Sequence, residues 1–117
     1  EITRVECLRT LDRLRLAGSM DDRELARRRA TMLQLLTGVE TIRINRAVLN
    51  RASEAFPTQI RTLDAVHLAS ALLMSGRVPA LRFATHEDEL ATAAIAVGLR
   101  VIGADSPKAS GGTAASK

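Results

Sequence analysis

Aromatic side chains are nearly absent from this chain of 117 residues: Phe56 and Phe83 are the two, with no Tyr and no Trp. That argues against base stacking on aromatic platforms as a way of holding nucleic acid, and any such ligand is expected to be held through its backbone and phosphates. Cysteine occurs once, at Cys7, which leaves no disulfide framework and no zinc cluster of cysteines; Cys7 reads as a small filler on a helix face. No apolar run approaches the ~20 residues of a membrane span, and nothing reads as a signal peptide. A cytoplasmic protein without a membrane partner is expected. Lysine is scarce too, confined to Lys108 and Lys117, so the 17 basic residues are almost all Arg.

Arginine suits phosphate, because its planar fork donates two parallel hydrogen bonds. The net charge of +4 is compatible with a nucleic-acid ligand and equally with solubility alone. A hydrophobic content of 46% with 26% charged residues is ordinary for a globular protein, and the length suits one domain with a real core.

The chain is organised around the stretch from Arg61 to Leu72. Its apolar and small residues recur at three- and four-residue spacing, which predicts a buried helix from Leu63 to about Met74, stopped at Gly76. Thr62 is the expected N-cap, which puts Asp64 in the first turn, where the positive end of the helix dipole favours a carboxylate. Upstream, residues 2–17 predict an amphipathic helix ended by Gly18. A second helix is expected from Ser19, with Ser19 and Asp22 as a weak capping box. Its Arg27, Arg28 and Arg29 read either as a solvated face or as contacts to RNA phosphate or a partner's acidic tail.

Val39 to Ile44 alternates between Gly38 and Asn45 and predicts a strand. Asn45 then caps a helix from Arg46 to Phe56, ended by Pro57. Pro79 to Ala84 is expected as a strand, His86 to Val97 as a helix and Arg100 to Gly103 as a last strand. Strands separated by helices imply a parallel sheet covered on both sides, an α/β/α arrangement rich in helix. Ligand sites in such folds lie beyond the carboxyl ends of the strands. Residues 105–117 are Ser-, Gly- and Ala-rich and are expected to form a flexible tail outside a domain of residues 1–104.

The run Thr62-Leu63-Asp64-Ala65-Val66-His67-Leu68-Ala69-Ser70-Ala71-Leu72 resembles the signature helix of PIN-domain ribonucleases, most of all the VapC toxins of bacterial toxin–antitoxin pairs. Phe83 to Ala94, followed by Gly98-Leu99-Arg100-Val101, resembles that family's next strand, acidic turn and helix. Arg4-Val5-Glu6-Cys7-Leu8-Arg9 resembles its early Glu-bearing helix. The resemblance implies a cluster of carboxylates holding Mg²⁺ or Mn²⁺, hard cations that prefer oxygen ligands. It implies in-line attack on an RNA phosphodiester by a metal-activated water. Glu6, Asp64 and Glu87 stand at the family's acidic positions. Glu87 departs from the usual Asp, and Asp88 beside it is an alternative ligand. Arg61 is the candidate for placing the phosphate.

Local rules offer a rival role for each of these residues. Thr3 to Glu6 fits a capping box, and Thr85 can cap a helix with Glu87 and Asp88 as ordinary first-turn acids. His67 reads as a packed helix residue and His86 as a surface one. The family's first strand carries a further metal-binding Asp that nothing in this sequence supplies. With a start at Glu1, inside a helical pattern, this predicts that residues upstream are missing.

The leading expectation is therefore a metal-dependent endoribonuclease toxin, neutralised by a cognate antitoxin and assembling as a homodimer. The alternative is a catalytically degraded PIN scaffold that binds RNA or regulates. A helical DNA-binding protein, with Arg27–Arg29 in a groove, fits poorly with interleaved strands.

Overall fold

The computed structural model describes residues 1–104; the tail expected over 105–117 lies outside the described residues. In chain order the elements are α1 (Ile2–Leu16), α2 (Asp22–Thr37), α3 (Arg46–Ser53), α4 (Thr62–Ser75), β1 (Arg82–Ala84), α5 (Asp88–Ala96) and β2 (Arg100–Ile102). They fall into two compact units, Glu1–Arg43 and the chain from Ile44 onward.

The first unit is α1 packed against α2. Gly18 ends α1 as expected, at φ +73, a conformation open to glycine because it has no Cβ. The Gly18 N–H donates to the Arg15 carbonyl at 3.0 Å and the Ser19 N–H to Leu14 at 3.1 Å, the paired bonds that use up the last free carbonyls of a helix. The start of α2 is corrected: Asp21, not Ser19, is the N-cap, its carboxylate accepting from the Glu24 N–H at 2.8 Å. Asp21 and Glu24 hold the first and fourth places of a capping box, but the Glu24 carboxylate turns to Arg28, at 2.8 Å. Arg28 is thereby tied to its own helix, and Arg27 and Arg29 stay exposed.

Residues 39–44 form no strand. Alternation makes a strand only where a neighbour completes the hydrogen-bond ladder and one face is buried, and here both Val39 and Ile42 are exposed.

The second unit opens as expected, with the Asn45 side chain accepting from the Val48 N–H at 3.0 Å. Helix α3 stops at Ser53 rather than Phe56. Pro57 denies Phe56 a helical backbone, and the Arg51 guanidinium covers the displaced Phe56 ring at 4.5 Å from its centre.

Helix α4 packs on α3 and is the most buried element: Leu68 and Ala69 have no exposed surface. Its neighbours in the core are largely small, with Ala93 and Ala94 of α5 also fully buried. Leu68, Ala71, Leu90, Ala93, Ala94 and Leu99 form one cluster, edged by Phe56, Ile60, Leu81, Phe83 and Val101.

Strands β1 and β2 pair in parallel, Arg82 with Arg100 through Ala84 with Ile102, and α5 is the crossover that parallel strands require. The α/β class and the parallel sheet are as expected, although each strand is only three residues long.

Two glycines close this β1–α5–β2 segment. Gly98 ends α5 at φ +88, repeating the arrangement at Gly18 through bonds from Gly98 to Ile95 (2.9 Å) and from Leu99 to Ala94 (3.0 Å). Gly103 follows β2 at φ +90, and a Cβ there would lie 2.9 Å from the Thr85 carbonyl oxygen. A Cβ at Gly98 would meet nothing within 4 Å. Gly98→Ala should therefore cost only the left-handed backbone, about 1–2 kcal/mol. Gly103→Ala should cost distinctly more, because a backbone oxygen cannot swing aside. Chemical denaturation of both variants checks this; equal losses would contradict it.

Candidate active site

The acidic and basic candidates of the second unit sit at the amino-terminal ends of α4 and α5. Asp64 is the third residue of α4, half-buried in its first turn. It stands where the helix's free N–H groups concentrate positive potential. The cap of α4 is corrected from Thr62 to Arg61, which holds an extended backbone (φ −78, ψ 163) and makes no side-chain cap bond. Its carbonyl accepts the first helical bond, from Ala65, at 2.9 Å. Thr62 is already helical, so its hydroxyl cannot cap. The exposed Arg61 guanidinium thus leaves the fold one residue before the helix that carries Asp64.

At α5 the correction has a clear cause. The Thr85 N–H donates to the Ile102 carbonyl at 3.0 Å, extending the β ladder one residue past β1. Thr85 is held extended by this bond, and its hydroxyl accepts only from the Glu87 N–H, at 3.1 Å. The helix therefore starts two residues later than Thr85 capping would place it. Glu87 is the N-cap, without a side-chain cap bond, and Asp88 is the first helical residue. Asp88 cannot close a capping box on Thr85. Both acids are exposed, as is His86.

Glu6 lies in the first unit, half-buried on α1. The capping box that rivalled its site role does not form, because α1 already starts at Ile2, leaving Thr3 inside the helix. His67 is half-buried on α4. Among the described residues, no three His, Cys, Asp or Glu side chains gather into a group able to hold a metal ion. The donors are of the right kind, all carboxylate oxygens suited to Mg²⁺ or Mn²⁺.

Two clefts border the approach to α4. One, of about 500 Å³, runs between α3 and α4 and is lined mainly by Leu49, Phe56, Ile60, Ala65 and Val66. The other, of about 460 Å³, is lined by Thr58, Gln59, Ile60, Arg61, Glu89 and Thr92. Glu89 and Thr92 lie within the run that resembles the family but have no role in that resemblance; both are exposed on α5.

The PIN domain family model matches residues 1–97. Ribonuclease VapC46 of Mycobacterium tuberculosis is 32% identical over 101 residues, a span covering 86% of this chain and 68% of that protein. No solved structure matches the chain. The matched span runs from α1, which carries Glu6, through the helices that carry Asp64 and Glu87, and on that extent the chain belongs to the PIN-domain family, among its VapC-type ribonucleases.

Proposed function

We propose that this protein is an endoribonuclease toxin that cleaves RNA phosphodiesters with the help of Mg²⁺ or Mn²⁺, and that a cognate antitoxin holds it in check. The observation that carries the reading is Asp64: a carboxylate in the first turn of the most buried helix of a chain related to a ribonuclease. Asp64 is the proposed central ligand, with Glu6 and Glu87 completing the set and Asp88 as the alternative at that corner. When bound, such an ion places positive charge at the phosphate and lowers the pKa of its water. The chain's own contribution is orientation. The packing of α4 holds the Asp64 backbone rigid, and Arg61 offers its fork to a phosphate oxygen pair.

A second reading, a PIN scaffold that binds RNA without cutting it, draws on Glu87, which stands where the family usually has Asp. No described helix is long and apolar enough to cross a membrane. For the antitoxin and for a homodimer, the proposed surface is the first unit. There Val5, Leu14, Leu16 and Leu35 are exposed apolar side chains, more than a solvated helix pair needs.

Cleavage of single-stranded RNA by the purified protein should require Mg²⁺ or Mn²⁺ and fall at least about a hundredfold, roughly 2.7 kcal/mol of barrier, in Asp64→Asn. Retained cleavage in that variant with the metal chelated would rule the mechanism out. An inactive but folded wild-type protein that still binds RNA would favour the scaffold reading.

At α5 the corrected helix start sharpens the choice between neighbours. Glu87→Gln should raise the Mg²⁺ concentration needed for half-maximal cleavage more than Asp88→Asn does. Asp88→Asn should act mainly on the helix dipole, costing about 0.3–1 kcal/mol of stability. Metal titrations beside thermal melts separate the two, and the reverse order would make Asp88 the ligand.

A further inference from the structure

We infer that the cleft between residues 58–61 and α5 is a base-reading subsite that takes one unpaired guanine nucleotide, with Glu89 reading the base and Arg61 holding its phosphate. The inference rests on the chain's binding RNA, as proposed above, and not on its cutting it.

The cleft, at about 460 Å³, falls within the ~300–1,000 Å³ usual for small-ligand sites. Its walls carry opposite charges. Arg61 stands on one side and Glu89 on the other, and among the described residues neither takes part in an ion pair. Two unlike charges that share a cleft without pairing suit a ligand with an anionic end and a hydrogen-bond-donating end. A nucleotide is such a molecule.

The scarcity of aromatics does not count against a base here, because the half-buried Ile60 offers an apolar surface for one face of it.

The choice of base follows from donor and acceptor order. Single-stranded RNA exposes the Watson–Crick edges of its bases to side chains. On that edge guanine presents two adjacent donors, N1–H and the N2 amino group, beside the O6 acceptor. An ionised Glu carboxylate accepts through both oxygens and donates nothing, so Glu89 matches the two donors together. The Gln59 amide can supply the donor for O6. Adenine and cytosine each set a ring-nitrogen acceptor beside their amino group, which a carboxylate repels. Uracil offers one N–H between two carbonyls. Glu89 lies on α5 next to Leu90, and that helix is anchored by Leu90, Ala93 and Ala94. Arg61 links the subsite to the proposed centre, standing three positions before Asp64.

The test is equilibrium binding, by fluorescence anisotropy, with divalent metal chelated so that nothing is cut. The probes are short uridine-rich RNAs carrying one central guanosine, adenosine or inosine. The wild-type protein should prefer guanosine over adenosine by about tenfold or more, the usual discrimination of a bidentate contact. Inosine, lacking the N2 amino group, should fall between them. Glu89→Gln should erase the preference. Arg61→Ala should weaken guanosine and adenosine RNAs alike and reduce the salt dependence, as loss of a phosphate contact does. Equal binding of all three RNAs by the wild type, or a guanosine preference that survives Glu89→Gln, would overturn the inference. Binding of none of them would overturn it together with the RNA-binding reading, whereas a guanosine preference without cleavage would leave it standing and count against the nuclease alone.

Discussion

Burial of α4 is the constraint on which the second unit depends. Leu68 is one of only two large side chains there, with Val48, that are almost wholly buried among the described residues; alanines fill most of the rest of that core. A core of small side chains brings backbones close together and leaves little slack, since interiors are packed like crystals. Truncating Leu68 would open a cavity that its alanine neighbours cannot fill by changing rotamer, the situation in which large-to-small changes cost most. The rigidity has a functional sense. A helix held along its length carries its first turn as a fixed platform, so the backbone at Asp64 is set by packing within the next two turns, at Ala65, Leu68, Ala69 and Ala71. In the proposed reaction, pre-positioned groups would lose little freedom when they act, the main thing a protein contributes to phosphoryl chemistry.

The β1–α5–β2 segment serves the same end by different means. Its strands are too short to be stable alone; they are held by α5 and by the core side chains Phe83 and Val101. Close approach at the exit of the strands depends on Gly103, which lets β2 leave against the Thr85 carbonyl. Because Thr85 is bonded to Ile102, the turn carrying Glu87 and Asp88 is tied to the end of the sheet. The two candidate corners of the site thus rest on separate supports, one a buried helix and the other a strand end.

What could be read in the sequence was whatever local chemistry decides. Gly18 and Asn45 act through their own backbone or side chain, and both behave as their type predicts. Helix α4 was legible because so many consecutive apolar and small residues have no other soluble home. Most of the failures share a cause. Thr62 lost the cap to Arg61, and Thr85 lost it to Glu87 because chain direction at Thr85 is set by what that residue meets in space. For Thr85 that partner, Ile102, is far along the chain. Residues 39–44 had the alternation of a strand, but alternation cannot supply a neighbouring strand. Glu89 was invisible for the same reason, since nothing near it in the sequence announces that residues 58–61 will face it across a cleft.

The central claim is that carboxylates from distant parts of the chain serve one cation. Substoichiometric Mn²⁺ tests it directly, because the paramagnetic ion broadens the NMR signals of nuclei around it wherever it binds. The account predicts that the amide signals of Asp64, Glu87 and Glu6 broaden together at the same low Mn²⁺ concentration and recover together when Mg²⁺ is added in excess. Broadening confined to one of the three, or scattered over exposed acids such as Asp22 and Glu54 with Asp64 unaffected, would contradict it.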